Sequence, residues 1–197
     1  MALGERFQTV REGWIAAVVT VLEMREAASP RPERADGGWR LERLGAPDPQ
    51  AYRDLYSRVG APHLWYSRLI MDEATLAGTL ADPKVHVHAL MIDGAAEGLL
   101  ELDFRQQGAC EIVYFGVTPG LVGSGAARVM MNHAIAAAFA QGVSRLWLHT
   151  NTLDHPRALD FYIRSGFRPV ERRIELAPDP RLSGLLPRES APHVPIL

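Results

Sequence analysis

Apolar and polar positions recur along this chain with two periods, near two and near three and a half residues, and these mark out its elements. Residues 14–24 form an apolar run rich in β-branched side chains, which predicts a strand. Residues 29–38 are polar and punctuated by proline and glycine, which predicts a linker. Apolar and charged residues alternate over 39–44, the pattern of a half-buried strand. A helix is expected over 48–59: Asp48 suits the cap, Pro49 suits the first helical position, and Tyr52, Leu55, Tyr56 and Val59 recur at helical spacing. Gly60 ends it, an aromatic-rich connection follows, and a second helix covers 72–80. Strands at 85–92, 97–104 and 110–117, divided by Asp93-Gly94 and Gln106-Gln107-Gly108, read as an antiparallel meander. The next helix, 125–141, presents Ala127, Met130, Met131, Ala134 and Ala138 as one buried face and stops at Gly142. A strand at 145–150, a short helix at 156–165 capped by Asp154 or His155 and stopped by Gly166, and a strand at 167–176 complete the pattern. The helix between strands 110–117 and 145–150 makes those two parallel, joined by a right-handed crossover.

Composition sharpens this picture. A chain of 197 residues that is 47% hydrophobic suits one globular domain with some extension. The pattern divides it into an N-terminal strand and linker (1–38), a main domain (39–176) and a proline-rich tail (177–197), extended or wrapped on the surface. The first strand is expected to be an appendage that caps a sheet edge or pairs with a second subunit, giving a homodimer. The net charge of −2 leaves no electrostatic footprint for nucleic acid or an anionic membrane. Cys110, the lone cysteine, excludes a disulfide within the chain and sits at the start of an apolar run, which favours a structural role. The apolar run at 14–22 is too short for a bilayer, and Glu5 and Glu12 before it with Glu23, Arg25 and Glu26 after it argue against a secretory signal; a cytoplasmic location is expected. His86 and His88 have the spacing of a metal pair, but no further ligand cluster joins them and no metal is expected.

The richest chemistry lies at 114–131, where a strand runs into Val122-Gly123-Ser124-Gly125-Ala126-Ala127 and then into a helix. That order presents backbone N–H groups and the positive end of a helix dipole to a phosphate. Taken alone, it is equally the pattern of an ordinary tight turn.

A second stretch raises its meaning. The loop is similar to the Q/R-x-x-G-x-G/A motif, and Ala158-Leu159-Asp160-Phe161-Tyr162-Ile163-Arg164-Ser165-Gly166-Phe167 to the A-x-x-F-Y-x-x-x-G-F signature, of the GNAT N-acetyltransferases. The resemblance covers roughly residues 39–176. It implies a mixed α/β fold of the α+β kind: a mostly antiparallel sheet, one parallel pair of strands that splay apart, and flanking helices. It also implies acetyl-CoA as co-substrate, a small-molecule or peptide amine as acceptor, and direct attack of the amine. The loop amides would hold the pyrophosphate, and the strand edge at Phe115 and Val117 would pair with the pantetheine amides, with the Val117 N–H facing the thioester oxygen. Two positions depart from the family: Val122 stands where Gln or Arg is usual, for which Arg128 can compensate, and His155 stands where Asn is common. They keep open a second reading, a non-catalytic acyl-CoA-binding or regulatory module.

The resemblance makes Tyr162 the acid that protonates the departing thiol; a phenol pKa of about 10 against about 8.5 for a thiol leaves the transfer roughly balanced. The same side chain also completes an apolar helix stripe with Ala158 and Phe161, an ordinary place for a core tyrosine. Glu111 is the candidate base. Alternation places it with Val113 and Phe115 on one strand side, and Glu101 and Asp103 on the neighbouring strand are substitutes; His149, near the end of the parallel partner strand, is a further polar candidate that also suits an ordinary core or surface position. Trp65, Tyr66, Arg68 and Asp72 are expected to shape the acceptor site.

Overall fold

The computed structural model describes residues 8–34 and 37–197; Glu5 and two positions of the linker lie outside the described residues. Its elements run β1 (Trp14–Met24), β2 (Arg40–Leu44), α1 (Pro49–Gly60), α2 (Glu73–Ala81), β3 (Val85–Ile92), β4 (Ala95–Asp103), β5 (Ala109–Val117), α3 (Ala126–Ala140), β6 (Arg145–Asn151), α4 (Ala158–Arg164) and β7 (Arg168–Pro178). Helix starts follow local chemistry. The Asp48 carboxylate accepts from Ala51 N at 2.9 Å with Pro49 in the first turn, and Asp72 accepts from Thr75 N at 2.8 Å. The cap of α4 differs from expectation: Arg157 holds that position with no side-chain bond, Asp154 is turned elsewhere, and His155 Nδ1 accepts from Arg157 N.

One seven-stranded sheet, in the order β2-β3-β4-β5-β6-β1-β7, carries everything. It is antiparallel except between β5 and β6, the expected mixed architecture. One correction concerns β1. It is no edge appendage: it pairs with β6 on one side and β7 on the other, so the first strand of the chain is an interior strand. Its apolar character follows, because an interior strand is covered on its faces while its backbone is satisfied along both edges.

Two cores flank the sheet. On one face α3 buries Ala126, Met130, Met131, Ala134, Ile135 and Ala138 against Leu100, Leu102, Cys110, Leu146 and Leu148. Ala126, rather than the expected Ala127, belongs to this face. Each fully buried methionine contributes about 1.5–3 kcal/mol of burial. Cys110 is a core residue here, its thiol pushed up to about 12 by burial first and Asp103 next. On the opposite face α1 and α2 bury Tyr52, Leu55, Tyr56, Leu76 and Leu80 against β3 and β4. The C-terminal tail forms a third cluster, Leu186 and Ala191 packing with Ile15, Leu64 and Ala177. Among the described residues no helix is long and apolar enough to cross a membrane.

Candidate active site

The parallel pair is short. β5 and β6 are paired only over Ala109–Glu111 with Arg145–Trp147, and beyond that they separate. A cleft of about 570 Å³ occupies the gap. Thr118 N donates to Glu97 O on β4 at 2.9 Å, so by alternation the Val117 N–H points away from β4 into the gap. Phe115 and Val117 both line the cleft.

At one end stands the glycine loop. Gly123 and Gly125 have φ of +84° and +107°, a conformation that side chains rarely adopt, and Gly125 is the residue before α3. The loop uses half of its own amides: Val122 N donates to Pro119 O, Ser124 N to Leu121 O, and Ala126 N to Ser124 Oγ. The amides of Gly123, Gly125 and Ala127 make no hydrogen bond among the described residues, and all three residues line the cleft. Val122, Ser124 and Ala126 thus shape the loop, and the alternate residues present donors. Arg128 follows them; its guanidinium lies over the Phe161 ring, 4.6 Å from the centroid, and donates to Ser165 Oγ at 2.9 Å. Burial first, then Arg31 and Arg164, hold it below the ordinary guanidinium range. Those two neighbours, with Arg157 on the cleft wall, make this end electropositive. Alternating free amides at a helix start amid arginines fit a polyanion such as the coenzyme pyrophosphate.

Tyr162 projects from α4 into the middle of the cleft wall. Its ring packs against Phe115, Phe161 and Phe167, and its hydroxyl has no partner among the described residues. Burial, and after it the Asp154 charge, push the phenol well above its usual pKa, so it keeps its proton throughout the neutral range.

Glu111 is placed differently from expectation. The pairing of β4 with β5 shifts register between Glu101 and Leu102, which leaves Val113 as a bulged residue. Cys110, Ile112, Phe115 and Val117 consequently face α3, and Tyr114 faces α1. Glu111 and Phe115 are on opposite faces, not on one. Glu111 does not line the cleft; its Oε1 stands 3.7 Å from Nδ1 of His149, which does. The Glu111 carboxylate, against the opposing effect of burial and with smaller help from Glu175 and Asp154, raises the His149 pKa above its usual value.

The substitutes for the base are engaged elsewhere. Glu101 is fully buried and holds the Tyr52 hydroxyl and the Arg68 guanidinium; Asp103 pairs with Arg105. Arg68 is thereby turned from the cleft, and Asp72 is a helix cap, leaving Trp65 and Tyr66 of the expected acceptor set on the cleft wall. His155 also lines it. His86 packs at a tilt against Phe104, while His88 faces His133 with Nε2 atoms 3.2 Å apart and is driven down to about 4, by burial first. Among the described residues no group of three or more His, Cys, Asp or Glu could hold a metal ion. Sequence reading missed Asp154, which anchors Trp65 Nε1, Thr150 Oγ1 and Asn151 N, and missed Glu175 of β7. The sequence offers Asp154 only as a candidate cap of α4, a position that Arg157 takes.

Comparison with known proteins agrees with this geometry. Residues 46–167 match the model of the acetyltransferase (GNAT) family. An uncharacterized N-acetyltransferase of Mycobacterium tuberculosis is 31% identical over 98 residues, which span 50% of this chain and 62% of that relative's length. The GCN5-related N-acetyltransferase from Sphaerobacter thermophilus superposes with a TM-score of 0.62 at 16% identity, over 84% of this chain and 53% of that one. An aminoglycoside acetyltransferase from a soil metagenomic sample gives a TM-score of 0.56 at 18% identity, over 67% of this chain and 90% of that one. With more than half of its length matched by the family model, and with the same mixed sheet, the chain belongs to the GNAT family.

Proposed function

We propose that the protein is an N-acetyltransferase that takes an acetyl group from acetyl-CoA and places it on the amine of a small molecule or peptide by direct attack. One observation carries this reading: the free amides of Gly123, Gly125 and Ala127, the Val117 N–H and the Tyr162 hydroxyl all face a single cleft through the gap between β5 and β6. When bound, the coenzyme supplies an acyl group activated as a thioester.

The residues then divide the work. The loop amides and Arg128 hold the phosphates, and the Val117 N–H donates to the acyl oxygen as negative charge grows there. His149 takes a proton from the acceptor, with Glu111 behind it stabilising the imidazolium. The amine nitrogen forms the new C–N bond as the C–S bond breaks. Tyr162 supplies the proton that leaves with sulfur, so that each proton lost or gained has a named carrier.

Release of free thiol from acetyl-CoA, measured across a panel of amines, tests the function. Turnover on any acceptor supports it; coenzyme binding with no turnover on the panel would make the chain a binding module instead. The base has its own test. A base must be neutral to work, so kcat rises with pH through the His149 midpoint, which lies above the ordinary 6.5. Glu111→Gln removes the charge that favours the imidazolium, and its acid limb is expected to move to lower pH while kcat falls. An acid limb that stays in place would end the role of this pair.

A further inference from the structure

The two ends of the cleft differ in charge. Arg128, Arg157 and Arg164 line the loop end, and the far end is lined by no arginine or lysine among the described residues. Two carboxylates line the cleft, Asp154 and Glu175. Asp154 is fully occupied: Trp65 Nε1 donates to Oδ1 at 3.2 Å, and Thr150 Oγ1 and Asn151 N donate to Oδ2 at 2.7 and 3.1 Å. Glu175 has no hydrogen bond or ion pair among the described residues, although most surface carboxylates nearby on β7 and β1 do, as in Glu171 with Arg173 and Glu23 with Arg25.

Glu175 is placed by the sheet. It lies opposite Ala17 of β1, and it shares the cleft with that residue and with Ile15 and Ala177. Its charge acts on Tyr66, whose phenol is raised by burial first and by Glu175 next, and it also acts on His149. The carboxylate is therefore within electrostatic reach of the base without touching it. The wall around this end is aromatic: Trp65, Tyr66, Tyr114 and Tyr56. An unpaired carboxylate and aromatic faces suit a cation, and they disfavour an anionic or wholly apolar acceptor.

Resting on the N-acetyltransferase reading, we propose that the acceptor is an amine carrying a second positive charge, a diamine or polyamine, and that Glu175 holds that second charge while the reacting amine meets His149. The bonds that form and break are those already described; Glu175 takes no proton and acts only on binding and position.

The test compares putrescine and spermidine with butylamine, which has one charge, and γ-aminobutyrate, whose second charge is negative. In the native protein kcat/KM for putrescine or spermidine is expected to exceed that for butylamine by about tenfold, with γ-aminobutyrate lowest, the size appropriate to one partly exposed ion pair with aromatic support. Glu175→Gln should bring the diamine-to-monoamine ratio close to one, through KM rather than kcat. A ratio near one in the native protein, or a ratio that survives Glu175→Gln, overturns the proposal. Calorimetric titration of the same amines into the CoA-saturated protein reads the preference without turnover. Selective binding of putrescine with no thiol release on any amine would remove the transferase reading and keep the cationic site; thiol release on butylamine and γ-aminobutyrate alone would do the reverse.

Discussion

Tyr162→Phe is expected to lower kcat for thiol release by about a hundredfold, the range for losing a positioned acid, while the affinity for coenzyme A stays within about twofold. The substitution removes one oxygen and keeps the ring. That ring makes the packing contacts, with Phe115 at 6.0 Å, Phe161 at 5.7 Å and Phe167 at 6.2 Å between centroids, so the fold should be undisturbed. The hydroxyl makes no bond within the described protein, so its loss leaves no orphaned partner to destabilise the structure. An effect on kcat alone therefore reports on chemistry. Because burial and the Asp154 charge hold the phenol well above its usual pKa, Tyr162 gives no alkaline limb below pH 10 in the native enzyme. Its raised pKa also makes it a weaker acid than a free phenol, so its proton crosses to sulfur only as the C–S bond breaks and negative charge builds there. Retention of full turnover in the Phe variant, or loss of coenzyme binding in step with turnover, would remove the role.

How much of this could be read from the sequence depended on how local the cause was. The cap at Asp48 was legible because a carboxylate that accepts from an amide three residues on is a local event, while Asp72, expected at the acceptor site, turned out to be a cap of the same kind. The glycine loop was legible as a place, since left-handed backbone at positions 123 and 125 requires glycine. Which amides stay free was not, because that depends on Pro119, Leu121 and the Ser124 hydroxyl closing the turn. The bulge at Val113 was invisible: an apolar stretch such as Ile112-Val113-Tyr114-Phe115 continues the pattern whether or not one residue is extra, and the register slip moved Glu111 to the opposite face from Phe115. The strand character of β1 was local, but its neighbours were not. Its slot between β6 and β7 is fixed by partners more than a hundred residues away, such as Val21 with His149 and Val18 with Ile174. Glu175 was missed for a related reason. β7 is an edge strand with exposed charged residues throughout, and only the approach of Tyr66 and the cleft distinguishes Glu175 from Glu171.

The second large effect concerns the tail, where Arg181→Ala is expected to release residues 182–197 from the domain and weaken their docking by about 3–5 kcal/mol, the cost of breaking a buried charge pair from one side. Arg181 is a folding centre for the tail: it holds the Asp179 carboxylate through Nε and Nη2 and donates from Nη1 to the carbonyls of Ser190, Ala191 and Val194, with side-chain exposure of 1% for Arg181 and 3% for Asp179. Removing it strips the buried Asp179 carboxylate of its cation, leaving it only the backbone N–H of residue 181, and takes the guanidinium from the carbonyls of Ser190, Ala191 and Val194, of which Ala191 O keeps a bond from Val194 N. The Arg181 hydrogen bonds hold the Asp179 pKa below the usual carboxylate range against the opposing effect of burial. A depressed pKa of this kind gives stability that is present above the unfolded value, about 3.9, and is lost as pH falls through the folded one, so tail docking should weaken on strong acidification. Asp179→Asn keeps an acceptor but removes the charge, and should lose less than Arg181→Ala. Hydrogen exchange over 182–197 reads the release directly; unchanged protection in Arg181→Ala would show that apolar packing of Leu186 and Ala191 alone holds the tail. The site should register the change too. Leu186 and Ala191 pack on Ile15, Leu64 and Ala177, which line the far end of the cleft, and the glycine loop lies at the other. Arg181→Ala is thus expected to raise KM for the amine while leaving coenzyme affinity in place, and an equal loss of both would mean general unfolding rather than a loosened acceptor wall.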